Sequence, residues 1–431
     1  MLRLAAPLAV AELGWMTMGI ADTIMAGPLG PAAVGAGSLG NMVYYPVVVS
    51  GIGLLLGMDT LVARSFGARD PHECRRTLIA GAWLGLLLAG PLMLGVWACI
   101  PLLYTAGANP RVMVHAAPYI IALLSSIPAM VMFTALRRYL QAVDIVKPVT
   151  FALISANVIN LAGDWLLMYG HWGAPAMGLA GSGWSTSIAR LYMAAVLLAT
   201  MLWHERRTGN LLFHLSWRPE FPRIRRLFSL GLPAAGQIAF EGAIFGVVTV
   251  VVAKLDEVSL AAHSIAMQVI STSFMVPLGI SSAAAVRVGQ ALGRKDREGM
   301  ARAGWTALLL SGLFMGAFGV LLLAAPGWVV RLFIRDSAVV ASGALLLRIA
   351  AFFELFDGFQ VVATGALRGL GDTRTPMLVH LAGYWGIGMP VACVLCFSYG
   401  WGAPGIWVGL CLAIILIGLA LLAVWRKRSS V

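Results

Sequence analysis

Long apolar stretches are the feature that most constrains what this chain can fold into. A membrane-spanning helix needs about 20 mostly apolar residues, and twelve stretches of the sequence meet that length. They lie near 4–26, 34–63, 76–100, 116–136, 149–169, 178–203, 226–252, 258–285, 303–325, 343–366, 376–398 and 404–425. Their apolar residues are continuous rather than alternating, which excludes a transmembrane β-barrel. We therefore predict an all-α integral membrane protein with twelve transmembrane helices.

The composition agrees with lipid as the main solvent of the chain. Of the 431 residues, 60% are hydrophobic and only 11% are charged, whereas a soluble domain carries about 25% charged residues. The mean hydropathy of +0.88 excludes an ordinary soluble enzyme. The first apolar stretch begins at once and lacks a clear cleavage site, so we interpret it as the first span and not as a signal peptide.

The basic residues predict the orientation in the membrane. With the N-terminus in the cytoplasm, 24 of the 30 Lys and Arg residues fall on the cytoplasmic side and four on the outer side. This asymmetry is the positive-inside pattern, so we expect both termini in the cytoplasm. The net charge of +12 then serves topology and contacts with membrane lipids, and we expect no nucleic acid partner.

The two halves of the chain repeat each other. A shift of 226 residues places Pro7 on Pro233 and aligns VARSFGARD (62–70) with VGQALGRKD (288–296). Six helices per half is an even number, so both halves enter the membrane from the same side as a parallel repeat. We predict a six-helix N-terminal lobe, a cytoplasmic linker, a six-helix C-terminal lobe and a basic tail, at 1–203, 204–226, 227–425 and 426–431. Secondary transporters of this design place their sites near the midplane, although channels and membrane enzymes can also be duplicated.

Acidic residues inside the predicted spans are the first candidates for a site, because they are costly in hydrocarbon. Asp22 lies about 27 Å along the first span and Asp164 about 22 Å along the fifth, both measured from the cytoplasm. Asn160 precedes Asp164 by four residues and shares its helix face. In the repeat Asp22 maps to Val248 and Asn160 maps near Pro390, so the polar groups do not reappear, which argues against a purely architectural role. We predict that this cluster binds a proton or a sodium ion.

The second lobe carries its own polar set. Glu241 lies near the middle of the seventh span, and Glu354, Asp357 and Gln360 recur at three-residue spacing on one face of the tenth. This face can bind a cation or a cationic substrate, or it can be a hydrogen-bonded packing seam. Weaker candidates are Glu12 and Asp59, of which Asp59 can simply cap a helix or pair with a cation.

Sequence motifs of catalysis are missing. The chain has no GxxxxGK[ST] phosphate loop, no HExxH and no GxSxG nucleophile elbow. We therefore expect no catalytic residue, no cofactor, no enzyme activity and no metal site other than one for sodium.

Six segments carry a family resemblance. They are GIADTIMAGPLG (19–30), LGMDTLVARSFGARD (56–70), RYLQA (138–142), FEGAIF (240–245), VRVGQALG (286–293) and FDGFQVVATGALRGLGDTRTPM (356–377). Together they resemble the multidrug and toxic compound extrusion (MATE) family, bacterial type. The resemblance covers essentially the whole chain. It implies a two-lobed monomeric antiporter of the bacterial inner membrane, which exports small organic cations in exchange for protons or sodium by alternating access.

The resemblance also implies roles for particular residues. Asp22, Asn160, Asp164 and Thr186 match the cation and proton site of the family's N-terminal lobe. Glu241 and Asp357 match an acidic site in the C-terminal lobe of sodium-driven members. The chain has Asp at 164 where one bacterial branch has Asn, so both lobes are equipped and the coupling ion stays open.

The sequence gives less support to three other functions: a lipid flippase, a membrane-integral enzyme and an ion channel. A flippase for lipid-linked saccharides should line its cavity with several arginines, and only Arg190 and Arg348 lie inside predicted spans. A membrane-integral enzyme should show a clustered nucleophile or metal set. A channel should show a selectivity filter, and nothing in the sequence resembles one.

Overall fold

The computed structural model describes residues 1–208 and 216–430, and these form helices joined by short turns. The helices are α1 Leu2–Ala26, α2 Pro31–Leu54, α3 Gly57–Gly67, α4 Pro71–Thr105, α5 Pro110–Leu124, α6 Ile127–Ala142, α7 Lys147–Tyr169, α8 Leu179–Arg207, α9 Phe221–Ala253, α10 Glu257–Gly293, α11 Arg297–Ala324, α12 Pro326–Arg331, α13 Ser337–Leu370, α14 Arg374–His380, α15 Met389–Cys393 and α16 Ala403–Ser429. Short polar caps begin several of them; the Asp296 side chain, for example, accepts a hydrogen bond from the Gly299 amide at the start of α11.

The described helices confirm the prediction of about twelve spans. Eleven helical segments are long and apolar enough to cross a membrane, and α5 with α6 passes the same test as a pair, which gives twelve spans when this pair, bent by 45°, is counted as one. The bend has a local cause. Pro128, in the first turn of α6, has no amide hydrogen and its ring clashes with the carbonyl four residues earlier, at Leu124, where α5 ends.

The eleventh span is not a uniform α-helix. Between α14 and α16 the backbone has π-helical geometry over Leu381–Gly388 and Val394–Ser398, on either side of α15. π-Helical turns are rare and are frequent at functional sites. The first of these segments carries Tyr384, which belongs to the candidate site described below.

The described chain forms two compact units whose boundaries lie inside helices. One unit contains Met1–Ala9 and Gly236–Val431, and the other contains Val10–Ala235. The first residues of α1 and of α9 thus belong to a different unit from the rest of their helices. The lobe boundaries predicted above describe the sequence repeat and remain a prediction.

A glycine contact holds each of these helix starts in its unit. A Cβ atom at Gly279 of α10 would lie 2.4 Å from the Ala9 amide nitrogen, and one at Gly53 of α2 would lie 2.6 Å from the Ala235 Cα. The repeat offset of 226 relates Gly53 to Gly279 and Ala9 to Ala235. Only glycine permits such close backbone approach, so in both units a glycine allows the helix start to pack against a neighbouring helix.

The predicted linker 204–226 contains the seven residues 209–215, which lie outside the described chain. Its end is fixed to α4 of the same unit. The Glu220 carboxylate lies 2.8 Å from the Arg76 guanidinium, which holds the pKa of Glu220 below its ordinary value. The Trp83 indole also donates a hydrogen bond to the Trp217 carbonyl, 2.8 Å away. In the predicted tail 426–431, Val431 lies outside the described chain and 426–429 complete α16.

Candidate functional site

Three helices of the unit Val10–Ala235 bring the predicted N-terminal site together. Asp22 comes from α1, Asn160 and Asp164 come from successive turns of α7, and Thr186 comes from α8. Asn160 and Asp164 are fully buried. Helices α7 and α8 pack closely at this level, because Gly163 leaves room for the Ser185 side chain.

Hydrogen bonds connect these residues into one cluster. The Thr186 hydroxyl donates to Asp22 Oδ2 at 3.3 Å, and Asn160 Nδ2 lies 3.4 Å from the Thr186 hydroxyl oxygen. Asn160 Nδ2 also lies 3.3 Å from the Ser185 hydroxyl, which donates to the Asn160 carbonyl. Asp22 and Asp164 lie close enough to interact directly. The structure thus places the four predicted residues side by side.

Several buried oxygen atoms of the cluster make no hydrogen bond of ordinary geometry within the described chain. They are both carboxylate oxygens of Asp164, Oδ1 of Asp22, Oδ1 of Asn160 and the Ser182 hydroxyl. The Ser182 and Ser185 hydroxyls and the Asp22 carboxyl nevertheless lie near enough to interact with the Asp164 carboxyl. Buried polar atoms are normally paired, because an unpaired one costs about 1–3 kcal/mol. Carboxylate, amide and hydroxyl oxygens are the ligands that hard cations prefer. The donor set therefore suits a proton or a sodium ion.

Arg190, which follows Thr186 by one turn of α8, lies beside this cluster. Its side chain is buried and donates hydrogen bonds to the Tyr44 hydroxyl at 2.5 Å and to the Ser126 hydroxyl at 2.7 Å. The guanidinium carbon lies 4.8 Å from the centre of the Tyr44 ring. Its positive charge acts on the Asp22 carboxylate.

Our sequence reasoning considered Arg190 only as a possible cavity-lining cation and did not include it in this site. The sequence did offer one indication: Arg190 follows Thr186 by four residues, and residues at this spacing share a helix face.

The unit that contains Gly236–Val431 holds a second acidic cluster. Gln360 Nε2 donates to Asp357 Oδ1 at 2.7 Å and to the Tyr384 hydroxyl at 3.0 Å. The Ser273 hydroxyl of α10 lies 3.3 Å from a carboxylate oxygen of Glu354. Glu241 of α9 is half-buried and interacts with Asp357 through charge.

All four residues predicted for this lobe thus lie near one another. Sequence reasoning missed two of their neighbours, Gln237 beside Glu241 and Tyr384 beside Gln360. Tyr384 lies in the π-helical segment, and no spacing rule for an α-helix could have placed it there.

The two weaker acidic candidates are structural. Glu12 forms a buried ion pair with Arg137, and Asp59 lies 3.4 Å from Arg138. The interpretation of Asp59 as a pairing residue therefore holds, with Arg138 of α6 as its partner. These pairs tie α1 and α3 to α6 within one unit.

Comparison with known proteins gives a consistent result. A family model described as MatE matches residues 7–166 and 233–394, once in each half of the chain. A protein of Mesorhizobium japonicum described as "Probable multidrug resistance protein NorM" is 36% identical over all of this chain and 94% of its own length. The "Multidrug resistance protein NorM" of Burkholderia vietnamiensis is 36% identical over 99% of this chain and 94% of its own length.

Solved structures share the fold. The eukaryotic MATE transporter AtDTX14 superposes with a TM-score of 0.87 at 20% identity, covering 100% of this chain and 96% of its own. The outward-facing structure of a multidrug resistance MATE family transporter of the MOP superfamily gives a TM-score of 0.89 at 17% identity, covering 100% of this chain and 95% of its own.

Proposed function

The chain belongs to the MatE family and is a multidrug efflux antiporter, and we propose that Asp22, Asn160, Asp164 and Thr186 couple its export step to cation entry. The observation that carries this proposal is the cluster of buried carboxylate and amide oxygens that make no hydrogen bond of ordinary geometry in the unit Val10–Ala235. Binding a cation or a proton there satisfies these atoms. Its release leaves two carboxylates beside each other, which favours the rearrangement that resets the transporter.

The coupling ion at this cluster is a proton in our proposal. Two neighbouring carboxylates in a buried site repel when both are ionised, and one shared proton removes most of that repulsion. The named side chains carry about the six oxygens that a hard cation takes, so the oxygen count does not separate the two ions and the proposal rests on the carboxylate pair. Sodium dependence enters through the second cluster, where Glu241, Glu354, Asp357 and Gln360 bind a cation or a cationic substrate.

The apolar spans and the family membership also support a proposal for the location and partners of the protein. The protein is a multi-pass membrane protein, and we place it in the bacterial cytoplasmic membrane with both termini inside. It works as a monomer on small organic cations. A flippase for lipid-linked saccharides would need arginines that line the cavity. Arg190 is one of the two arginines predicted inside spans, but its side chain is buried and donates hydrogen bonds to Tyr44 and Ser126 within the unit Val10–Ala235. The flippase alternative is therefore disfavoured.

Transport in proteoliposomes tests the N-terminal site. Asp22→Asn and Asp164→Asn should each reduce ethidium export driven by a pH gradient to the level of protein-free liposomes. The control is Asp144→Asn, the same chemical change at an exposed turn with a positive φ of 66° that Asn also adopts. Export at the wild-type rate in both site variants would refute the proposed coupling role.

The driving ion is varied in the same assay. A pH gradient in sodium-free buffer should drive export, and Glu241→Gln should reduce the export of cationic substrates. Strict dependence on sodium with no response to an imposed pH gradient would show that the N-terminal cluster does not carry protons.

A further inference from the structure

An open groove of about 470 Å³ lies where α11 and α16 meet at the end of α16. It is lined by Trp305, Leu422, Ala423, Arg426, Lys427 and Ser430. Both helices are membrane-spanning segments, and the groove lies on the last two turns of α16. It is therefore at the membrane–water interface, on the side that we assign to the cytoplasm.

The packing of Trp425 explains why the groove exists. Its indole is fully buried against Gly304, where a Cβ atom would come within 2.0 Å of the ring. The residues next to this contact, Trp305 and Arg426, consequently lie on the outer surface, and Trp305 remains 43% exposed. Tryptophan is enriched at this depth of a membrane because its ring is apolar and its N–H is polar.

The groove is apolar on one side and basic on the other. Leu422 and Ala423 lie toward the membrane interior, and Arg426 and Lys427 follow them one turn later on the same face of α16. Both cations are exposed and form no ion pair within the described residues, whereas the neighbouring Arg428 lies 3.3 Å from Asp372. None of the described residues that line the groove is acidic.

We propose that this groove binds an anionic phospholipid of the cytoplasmic leaflet. Its phosphate would contact Arg426 and Lys427, and its acyl chain would pass over Leu422 and Ala423. A soluble acidic partner is a poorer match, because half of the lining is apolar and faces the lipid. Basic pockets at this depth are a recognised form of headgroup binding.

Native mass spectrometry of the purified full chain can measure the binding, with phosphatidylglycerol and phosphatidylcholine as probes. Each cation that contacts the lipid phosphate should strengthen binding about fivefold, so Arg426→Gln with Lys427→Gln should weaken phosphatidylglycerol binding about 30-fold. The matched control is Arg294→Gln with Lys295→Gln. That pair is also exposed, adjacent and at the cytoplasmic end of its helix, but it lies outside the groove.

A second variant distinguishes specific lipid binding in the groove from non-specific electrostatic attraction between basic residues and anionic lipid. Ala423→Phe keeps both cations and fills the apolar side, so it should also weaken phosphatidylglycerol binding, by at least tenfold. Phosphatidylcholine should bind weakly to every form, and inorganic phosphate should not displace the bound lipid. Equal loss in the groove and control pairs, or full binding by Ala423→Phe, would overturn the proposal.

Discussion

At the scale of single residues, the buried Arg190 sets the charge balance of the N-terminal cluster. Its guanidinium is a fixed positive charge near two carboxylates, and it is held by neutral partners, the hydroxyls of Tyr44 and Ser126. The cluster therefore carries less net negative charge than its two acidic residues alone would give. This arrangement lowers the cost of keeping one carboxylate ionised in a buried site.

We expect Arg190→Gln to destabilise the protein. The loss of two charge-assisted hydrogen bonds and of the nearby positive charge should cost about 2–4 kcal/mol, visible as a lower melting temperature in detergent. Arg348→Gln is the control, because it removes the same charge from an exposed position inside a span and should not lower the melting temperature, since a charge there is costly in hydrocarbon. Equal melting temperatures for the two variants would contradict this role of Arg190.

The residues of the N-terminal cluster were predictable to different degrees. Asp22, Asn160 and Asp164 followed from depth and from helix periodicity, because position along a straight helix is fixed by sequence. Thr186 came only from the family resemblance. The contacts of Arg190 with Tyr44 and Ser126 could not be predicted, because they depend on how α8 packs against α2 and against the turn between α5 and α6.

At the scale of helices, the close contact between α10 and the start of α1 should limit substitution. A side chain at Gly279 meets the Ala9 and Leu8 backbone, which cannot move aside as a flexible side chain can. Gly279→Ala should therefore cost about 1–3 kcal/mol through overpacking.

Gly246→Ala in α9 provides the comparison. A Cβ atom there has no neighbour within 4 Å among the described residues, so the better helix propensity of alanine should stabilise by about 0.5–1 kcal/mol. Thermal unfolding of both variants measures the difference. If Gly279→Ala were as stable as Gly246→Ala, the contact would not constrain the packing.

Hydropathy predicted the number of membrane spans but not the irregular geometry within them. It predicted the number of spans because each needs a minimum apolar length. It did not predict that 116–136 divides at a 45° bend, although Pro128 was a readable signal. The π-helical segment Leu381–Gly388 had no such signal, because it contains no proline and its apolar character is uniform.

At the scale of the whole molecule, the placement of basic residues predicts which surface faces the cytoplasm. In a variant without its native cysteines, His72→Cys should be protected from an impermeant maleimide in intact cells, and Trp172→Cys should be labelled. Both positions are exposed, and Trp172 is 89% exposed, so accessibility within the protein does not limit the reaction. Labelling of both after permeabilisation is the control, and the reverse pattern would invert the assigned orientation.

The exchange of helix starts between the two units has a consequence for biosynthesis. Met1–Ala9 is translated before its glycine partner in α10, residue 279, and at ordinary translation rates the interval is roughly 15 to 60 s. The unit Val10–Ala235 likewise stays incomplete until the start of α9 has been made. If the gene were divided at the linker, it would encode two polypeptides, and neither polypeptide would contain all the residues of one compact unit.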